Sequence, residues 1–533
     1  RVMQTTESFD YIIVGAGSAG SVIANRLSAN PDVQVLLLEA GGSDNSLRVQ
    51  IPAGTITLYK SQVYSWNYFS VPQHELNNRQ LHCPRGKALG GSASMNSMIY
   101  IRGHASDYDQ WEQAGCPGWG WQDVLPLFRK SEHNLLAQSA DFHGQQGELL
   151  VDKPKDPNPF SYRFLQAAKS ALGVQQNSDF NGATLAGCGI YNLTQKDGKR
   201  LSSYQAFVAP VLDTRINLTV RTGCQVEQLT FEGKRVTGMV VNDNGQRKTL
   251  NASREVVLSA GSLGSPHILM KSGIGPAQQL RAAGIEPVVD LPGVGQNLQD
   301  HLDGLVTVRS KNTTTLGFSF GALPSILTSP LRYLANRKGW LTTNYVEAGG
   351  FFKTPLAGDI PDVQFHYVPG YRSHRGRLFE WGHGYAIHVC VLRPKSIGEL
   401  RLAADQSLAL DYNFLSNMDD AKVLIEGLKL ARRVLADNTY DDVRGKEMLP
   451  GTAVQTDAEL LAYIREYGAT VFHPVGTCKM GMDDLAVVTP ELKVRGIEGL
   501  RIADASIMPT LISGNTNAPC IMIGEKAAEL MLQ

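Results

Sequence analysis

Cysteine is scarce in this sequence: 533 residues contain seven, and none stands in C-x-x-C spacing. An odd number of scattered cysteines argues against a disulfide framework and against a structural zinc site. No H-E-x-x-H or comparable ligand spacing is found either. We therefore expect no metal centre, and we expect a reducing compartment, the cytoplasm.

Long apolar runs are also missing. No segment approaches the ~18 to 20 apolar residues of a membrane span, and the N-terminal RVMQTTESFDYIIV lacks the apolar stretch of a signal peptide. Residues 318–335 (FSFGALPSILTSPLRYLA) are apolar enough to cover a substrate channel or to contact a lipid surface. Peripheral membrane contact therefore stays open beside the simpler interpretation, a lid or a packed helix.

A net charge is absent too, because 50 basic residues balance 50 acidic ones. Nothing in this balance attracts a polyanion, so we exclude nucleic-acid binding. The length of 533 residues exceeds one ordinary core and predicts two or three domains. One active site between two lobes is the natural expectation.

The first forty residues predict a dinucleotide-binding unit. Residues 10–14 (DYIIV) are apolar without alternation, which is typical of a strand buried on both faces. GAGSAG (15–20) fits G-x-G-x-x-G and leads into the amphipathic SVIANRLSA, then into a second strand at 33–38 that closes with Glu39. This order of strand, glycines, helix, strand and acid is far more specific than the glycine motif alone.

Each part of this unit has a mechanical role. Gly15 permits a tight turn, Gly17 lets a pyrophosphate approach the backbone, and Gly20 lets helix and strand pack closely. Free N–H groups at the helix N-terminus bind phosphates, and Glu39 can accept both ribose hydroxyls. The unit by itself leaves FAD and NAD open.

Three later segments have the composition of loops beside a cofactor. In PRGKALGGSASMNSMIYIRG (84–103), small residues let a flat ring lie close to the backbone, and Asn96 could hydrogen-bond that ring. EVVLSAGSLGSPHILMKSGIG (255–275) predicts a strand, a turn, a short helix and a glycine turn. Residues 500–531 predict a strand ending at Asp504 and a helix that begins at 517–519.

Taken together, these motifs resemble the glucose-methanol-choline (GMC) oxidoreductases, most closely the bacterial alcohol and choline dehydrogenase branch. The resemblance runs nearly end to end. Its motifs are the N-terminal unit, GKALGGSASMN (86–96), GSLGSPHILMKSGIG (261–275), GVGQNLQDH (293–301), RPKSIGEL (393–400), HPVGTCKMG (473–481) and DASIMPTLISGNTNAP (504–519).

The resemblance implies an α/β Rossmann-like FAD-binding domain and an α+β substrate domain with a six-stranded antiparallel sheet. We place the discontinuous FAD domain at 8–158, 205–310 and 485–533. The substrate domain takes 159–204 and 311–484, with a lid-like segment at about 313–340. The predicted FAD-binding residues are Gly15, Gly17, Ser18, Ala19, Gly20, Glu39, Ala40, Gly90, Gly91, Ser92, Asn96, Val226, Ala260, Gly261, Asp504, Ala505, Asn515 and Asn517. Met95 stands where some relatives tether the flavin through a histidine, so we predict noncovalent FAD.

The resemblance also assigns the catalytic pair. His473 becomes the proton acceptor, and Asn515 the donor to the substrate oxygen, with Asn517 as the cap of the last helix. Without the resemblance, His473 would be a structural hydrogen-bonder and Asn515 a helix cap. Moving a proton from an alcohol of pKa about 15.7 to an imidazole of pKa about 6.5 is uphill by roughly 12 kcal/mol. A donor aimed at the oxygen supplies roughly 3 to 4 kcal/mol, and hydride loss to flavin N5 relieves the developing charge.

The substrate prediction depends on two regions. Choline-specific relatives have Glu at the position of Asp303. The side chain of Asp303 is one methylene shorter than that of Glu, and we interpret this residue as part of a surface turn. Aromatic residues between 318 and 371 indicate an apolar access route, although such residues fill cores more often. We therefore predict oxidation of a primary aliphatic or aromatic alcohol to the aldehyde, with a choline dehydrogenase or oxidase as the alternative.

The electron acceptor is a quinone, another carrier or oxygen, and the dehydrogenase-like resemblance favours a non-oxygen acceptor. Four other functions stay open: an FAD-containing hydroxynitrile lyase, a photodecarboxylase, a plain NAD dehydrogenase and an inactive flavin-binding protein.

Overall fold

The computed structural model describes residues 6–371 and 381–533. Two large sheets organise this part of the chain, each with its own apolar core. The helices of at least eight residues are Ser18–Ser28, Ala105–Gln113, Trp121–Ser131, Pro159–Leu172, Gly261–Lys271, Leu323–Asn336, Asp419–Leu435, Asp457–Tyr467 and Asn517–Met531. Short helices are Leu47–Gln50, Ser203–Phe207, Ala209–Leu212 and Ala277–Ala282.

The first sheet contains the predicted dinucleotide-binding unit. Its strands lie in the order Leu218–Arg221, Val35–Leu38, Glu7–Val14, Gln246–Leu258, Arg235–Asp243 and Cys224–Glu232, with Leu500–Ile502 beside Gln246–Leu258. The neighbours of Glu7–Val14 on both sides are parallel to it, and its last four residues are buried. The predicted strand at 10–14 is therefore correct, whereas the next strand begins at Val35, two residues later than predicted.

The second sheet is antiparallel throughout. Its strands lie in the order Arg444–Leu449, Leu302–Ser310, His383–Val391, Val363–Val368, Ala348–Phe352 and Gly187–Ile190. A seventh strand of two residues, Ala469–Thr470, also pairs with Leu302–Ser310. The sheet thus has seven strands instead of the expected six, because the chain makes this brief pairing just before His473.

The strand Leu302–Ser310 also bears on the division into domains. It lies inside the second sheet, whereas the sequence assigned residues up to 310 to the FAD domain. The division into domains stays a prediction. Asp300 and His301 directly precede this strand, where the chain enters the second sheet.

The segment predicted as lid-like, about 313–340, forms a surface helix, Leu323–Asn336, between short turns. Within the described ranges, every helix is too short or too polar to cross a bilayer. The Ser18–Ser28 helix of the first sheet packs against the C-terminal helix Asn517–Met531. That contact brings the final segment of the chain back to the glycine-rich turn.

Candidate active site

A cavity of about 670 Å³ extends from the glycine-rich turn to the strands of the second sheet. Seventeen of the predicted site residues line it: Gly15, Gly17, Ser18, Ala19, Glu39, Ala40, Gly91, Ser92, Asn96, Val226, Ala260, Gly261, His473, Asp504, Ala505, Asn515 and Asn517. Gly20 and Gly90 are not among the lining residues. The predicted residues therefore converge although just over 500 positions of sequence separate the first from the last.

Three helix N-termini meet at this cavity. The helices Ser18–Ser28, Gly261–Lys271 and Asn517–Met531 begin at residues that line it. In none of them does the N-cap side chain bond to the first turn, although the Asp504 carboxylate accepts the Gly261 N–H. Free backbone N–H groups and the positive end of the helix dipole suit bound phosphate. This arrangement fits the pyrophosphate of a dinucleotide.

Two glycine pairs hold the chain close enough to form this cradle. A Cβ on Gly20 would lie 2.0 Å from the carbonyl oxygen of Gly15, so only glycine fits between helix and turn. Gly91 has a φ of 56°, and a Cβ there would lie 2.9 Å from the Cα of Gly17. Gly20 thus acts through packing alone, which explains why it does not line the cavity.

Two carboxylates complete the cradle. Glu39 accepts N–H bonds from Ala16 (3.2 Å) and Gly41 (2.9 Å), and burial raises its pKa to about 7. Asp504 accepts from the Gly261 N–H (3.0 Å) and from the Ser265 hydroxyl (2.6 Å), and burial raises its pKa also. Each carboxylate holds a loop that forms a wall, so the residues present fit an FAD molecule.

His473 reaches the cavity through a short, unusual turn. The strand Ala469–Thr470 ends three residues earlier, and Phe472 has a left-handed φ of 69°, which is rare for a bulky residue. The buried Asp300 carboxylate accepts the N–H groups of His473 (2.9 Å) and His301 (2.7 Å) and the Thr470 hydroxyl. Asp300 therefore holds the backbone of both histidines, and burial raises its pKa to about 7.

A second histidine fixes the tautomer of His473. The Nε2 of buried His301 lies 3.1 Å from two carbonyl oxygens, those of Leu392 and Ile512, so it carries the hydrogen. Burial lowers the pKa of His301 to about 3, so its Nδ1 is an acceptor. That Nδ1 lies 2.9 Å from the Nδ1 of His473, which must donate. The Nε2 of His473 is thereby left as the proton acceptor.

His473 is held neutral by its surroundings. Burial lowers its pKa well below 6.5, and His301, His366 and Arg85 lower it further. A neutral imidazole with its free lone pair on Nε2 can accept a proton without first losing one. The imidazole of His473 is therefore neutral at physiological pH.

Asn515 is oriented by a comparable relay. The Tyr191 hydroxyl donates to the Phe365 carbonyl (2.5 Å), so the Nε2 of Gln364 must donate to the Tyr191 oxygen (3.2 Å). The same Nε2 donates to the Oδ1 of Asn515 (3.2 Å). The amide nitrogen of Asn515 is thus left to donate, as the sequence-based assignment requires.

Three expectations are wrong in detail. Asn517 is not the helix cap: Thr516 takes that position, and the Asn517 side chain accepts from the Ser18 hydroxyl (2.6 Å). Asp303 does not lie in a surface turn, because strand pairing places it buried in the cavity wall, 3.3 Å from the Nδ1 of His388.

The apolar access route is also misplaced. The prediction depended on seven aromatic residues, none of which lines the cavity: Phe318, Phe320, Phe351, Phe352, Phe365, Tyr367 and Tyr371. Five of these are buried, as in the Tyr367 stack on Phe164 (4.7 Å). An apolar wall exists nevertheless, formed by Met98, Ile99, Tyr345, Val346, Val368, Val471 and Phe472.

The residues that position His473 and Asn515 carry little signal in the sequence. Gln364 and His366 alternate on an otherwise apolar strand, so a polar pair at period two was the available signal. Burial lowers the pKa of His366 to about 4, and Asn515 hydrogen-bonds it. His301 and Asp300 adjoin each other in GVGQNLQDH, where nothing in the spacing indicates contact with His473.

Comparisons with known proteins agree with this geometry. Family models for the N- and C-terminal parts of GMC oxidoreductases match residues 9–303 and 394–524. The chain belongs to the GMC oxidoreductase family. As a GMC oxidoreductase, it is an FAD-dependent enzyme acting on CH–OH groups.

Individual relatives cover almost the whole chain of this GMC oxidoreductase. An alcohol dehydrogenase [acceptor] of Pseudomonas putida is 45% identical over 98% of this chain and 96% of the relative. An oxygen-dependent choline dehydrogenase of Vibrio vulnificus is 39% identical over 99% and 94%. The crystal structure of pyridoxine 4-oxidase from Mesorbium loti has a TM-score of 0.88 at 31% identity, covering 98% of both chains.

Proposed function

We propose that this GMC oxidoreductase oxidises a primary aliphatic or aromatic alcohol to the aldehyde with noncovalently bound FAD. One observation carries the proposal. His473 and Asn515 line the same cavity as the glycine cradle, and their hydrogen-bond networks leave one as acceptor and the other as donor. An alcohol hydroxyl needs that pair, because it gives up a proton while its oxygen gains charge.

The protein groups act on the hydroxyl as follows. The Nε2 of His473 takes the proton, and the Asn515 amide donates to the oxygen on which charge develops. A donor so placed in a water-poor site lowers the barrier by roughly 3 to 4 kcal/mol. His301 and Asp300 keep the base in position and in the right tautomer. FAD, when bound, supplies the acceptor for the hydride.

The cradle residues would hold FAD without a covalent bond. The N–H groups near Gly17 and Asn517 suit the pyrophosphate, and Glu39 suits the ribose. Met95 lines the cavity where a tethering histidine would otherwise stand, and a thioether forms no such link. Acid precipitation should therefore release all the flavin, and flavin retained in the pellet would contradict a noncovalent cofactor.

The wall around the catalytic pair supports an apolar alcohol. It contains aliphatic and aromatic side chains, and the Asp303 carboxylate in this wall already contacts His388. The 45% identity to an alcohol dehydrogenase, against 39% to a choline dehydrogenase, supports the same class.

Choline is the second candidate, because Asp303 is buried in the cavity wall and could meet a cation. Measuring kcat/KM for choline, butanol and benzyl alcohol distinguishes the two candidate substrate classes. An apolar preference predicts higher values for butanol or benzyl alcohol. If choline is favoured instead, and Asp303→Asn lowers only the choline value, the cation interpretation replaces ours.

A quinone or another carrier is the proposed acceptor. The name of the Pseudomonas putida relative specifies an acceptor, whereas the Vibrio vulnificus relative is described as oxygen-dependent. Peroxide measured during turnover in air distinguishes the two, because stoichiometric peroxide would mean that oxygen is the acceptor.

An anaerobic screen of alcohols tests the activity itself. Addition of a substrate should bleach the oxidised flavin band, because the alcohol is oxidised. A hydroxynitrile lyase would leave that band unchanged while cleaving a cyanohydrin, and this outcome would overturn the proposal.

A further inference from the structure

The surface helix Leu323–Asn336 presents its apolar residues outward. Only Ser329 and Tyr333 of this helix are buried. Leu327, Leu331 and Leu334 have exposed fractions of 73%, 69% and 73%, and Leu323 has 40%. Spacings of four, four and three place these leucines on one helical face. The sequence therefore puts a leucine row in solvent where an ordinary surface helix has polar side chains.

Two aromatic residues extend this row at the start of the helix. Phe320 and Trp381 are 80% and 59% exposed, and their rings meet edge to face with centroids 5.1 Å apart. We call the set of Phe320, Leu323, Leu327, Leu331, Leu334 and Trp381 the outer apolar face. Contiguous exposed apolar patches are rare on soluble monomers and mark contact surfaces, and tryptophan favours the boundary between lipid and water.

The charge around the outer apolar face is basic. Residues 304–346 contain no Asp or Glu but five basic residues: Arg309, Lys311, Arg332, Arg337 and Lys338. The Tyr333 hydroxyl donates to the Gly198 carbonyl (3.0 Å), which brings a hairpin with Lys196 and Lys199 beside the end of the helix. Among the residues that the structure describes, Asp156, 3.8 Å from Arg332, and Asp197 in that hairpin are acids near this rim. Basic residues outnumber these acids there.

The helix is fixed to the wall of the active-site cavity. Shortly after its last turn, Asn344, Tyr345 and Val346 line that cavity. Asn344 donates to the Ser97 carbonyl (2.9 Å), and the Tyr345 hydroxyl donates to the Ala53 carbonyl (2.6 Å). A surface that binds the helix would therefore contact the protein close in sequence to one wall of the cavity.

We propose that the outer apolar face docks on an anionic lipid bilayer, with the helix lying in the plane of the interface. Leucine and aromatic side chains would enter the acyl boundary while the basic rim meets lipid phosphates. A second copy of this chain fits less well, because among the described residues near this face the basic side chains outnumber the acids that could meet them. Docking places the cavity wall next to the phase in which apolar alcohols and quinones dissolve. The docking itself stands independently of the proposed substrate.

Vesicle sedimentation tests this proposal with the FAD-loaded enzyme. Wild-type protein should sediment with phosphatidylcholine vesicles that contain phosphatidylglycerol, and much less with phosphatidylcholine alone. The L327Q/L331Q/L334Q variant should bind the anionic vesicles at least about tenfold more weakly, since three leucines no longer enter the acyl region. R337Q/K338Q should reduce the preference for anionic vesicles only.

Two controls make the result decisive. Ile216→Gln replaces a 97% exposed apolar residue elsewhere and should leave vesicle binding unchanged. Turnover of water-soluble benzyl alcohol should be the same for all variants, which shows that they are folded. Wild-type protein left in the supernatant, or the leucine variant binding like wild type, would overturn the proposal. A wild-type dimer that the leucine variant converts to a monomer would instead assign this face to self-association.

Discussion

Replacing His301 tests how the base is prepared. His301→Ala removes the acceptor for the Nδ1–H of His473, which lies 2.9 Å away, and frees the ring to take either tautomer. In the other tautomer, Nε2 carries the hydrogen and cannot take a proton from substrate. His301 lines no part of the cavity, so its loss should slow the reaction without removing a substrate contact.

The size of the effect follows from that hydrogen bond. A neutral bond contributes about 0.5 to 1.5 kcal/mol, and a buried donor left unpaired costs about 1 to 3 kcal/mol. A loss of about 1 to 3 kcal/mol corresponds to about 5- to 150-fold slower flavin reduction. His301→Asn should recover much of this loss, because its amide oxygen can stand near the original Nδ1.

The assay is anaerobic rapid mixing of FAD-loaded enzyme with butanol, followed by loss of the oxidised flavin band. Thermal unfolding and flavin content should show that both variants remain folded and loaded. The ¹⁵N chemical shifts of His473 report the tautomer directly. Wild-type rates in His301→Ala, or a wild-type His473 protonated at Nε2, would refute the reasoning.

Three further predictions test neighbouring parts of the site. Because burial lowers the pKa of His473 well below 6.5, the imidazole stays neutral as the pH falls, so its ¹⁵N chemical shifts should show no protonation from about pH 8 to 6; an imidazolium that forms at or above pH 6.5 would disagree. Gln364→Glu puts an acceptor where the Oδ1 of Asn515 needs a donor, so flavin reduction should slow about 10- to 100-fold with FAD still bound. An unchanged rate would mean that Gln364 does not orient Asn515. Gly20→Ala brings a Cβ within 2.0 Å of the Gly15 carbonyl oxygen, which should lower the free energy of unfolding by about 1 to 3 kcal/mol. The same substitution should also weaken FAD binding. Gly42→Ala, whose Cβ meets nothing within 4 Å, is its matched control, and equal losses in both would contradict the packing argument.

The first sheet was predictable because its signals are local. The strand before Gly15, the glycines and Glu39 lie within forty residues, and each constrains its neighbour through backbone geometry. The antiparallel sheet came from resemblance, and its seventh strand was missed because two residues carry no periodic signal. Local pattern similarly failed at Asn517, where the helix begins one residue earlier than a capping asparagine would require.

The candidate catalytic site likewise combines residues that local motifs indicate with residues that they do not. His473 and Asn515 were assigned from motifs, but the groups that orient them come from distant segments. His301 is 172 positions from His473, and Gln364 is 151 from Asn515. Such contacts depend on how two sheets meet, which no spacing in the sequence encodes. Asp303 is another residue whose place depends on a distant segment. Its short acidic motif resembles a turn, whereas strand pairing with residue 390 places it in the cavity wall.

The most direct measurement is the anaerobic reduction of bound flavin by butanol in His473→Ala, with Asn515 left intact. We predict that the variant binds FAD normally but that its flavin is reduced about 100- to 10,000-fold more slowly, the contribution expected of a positioned general base. Reduction at a rate close to wild type would mean that the imidazole of His473 is not the group that takes the proton.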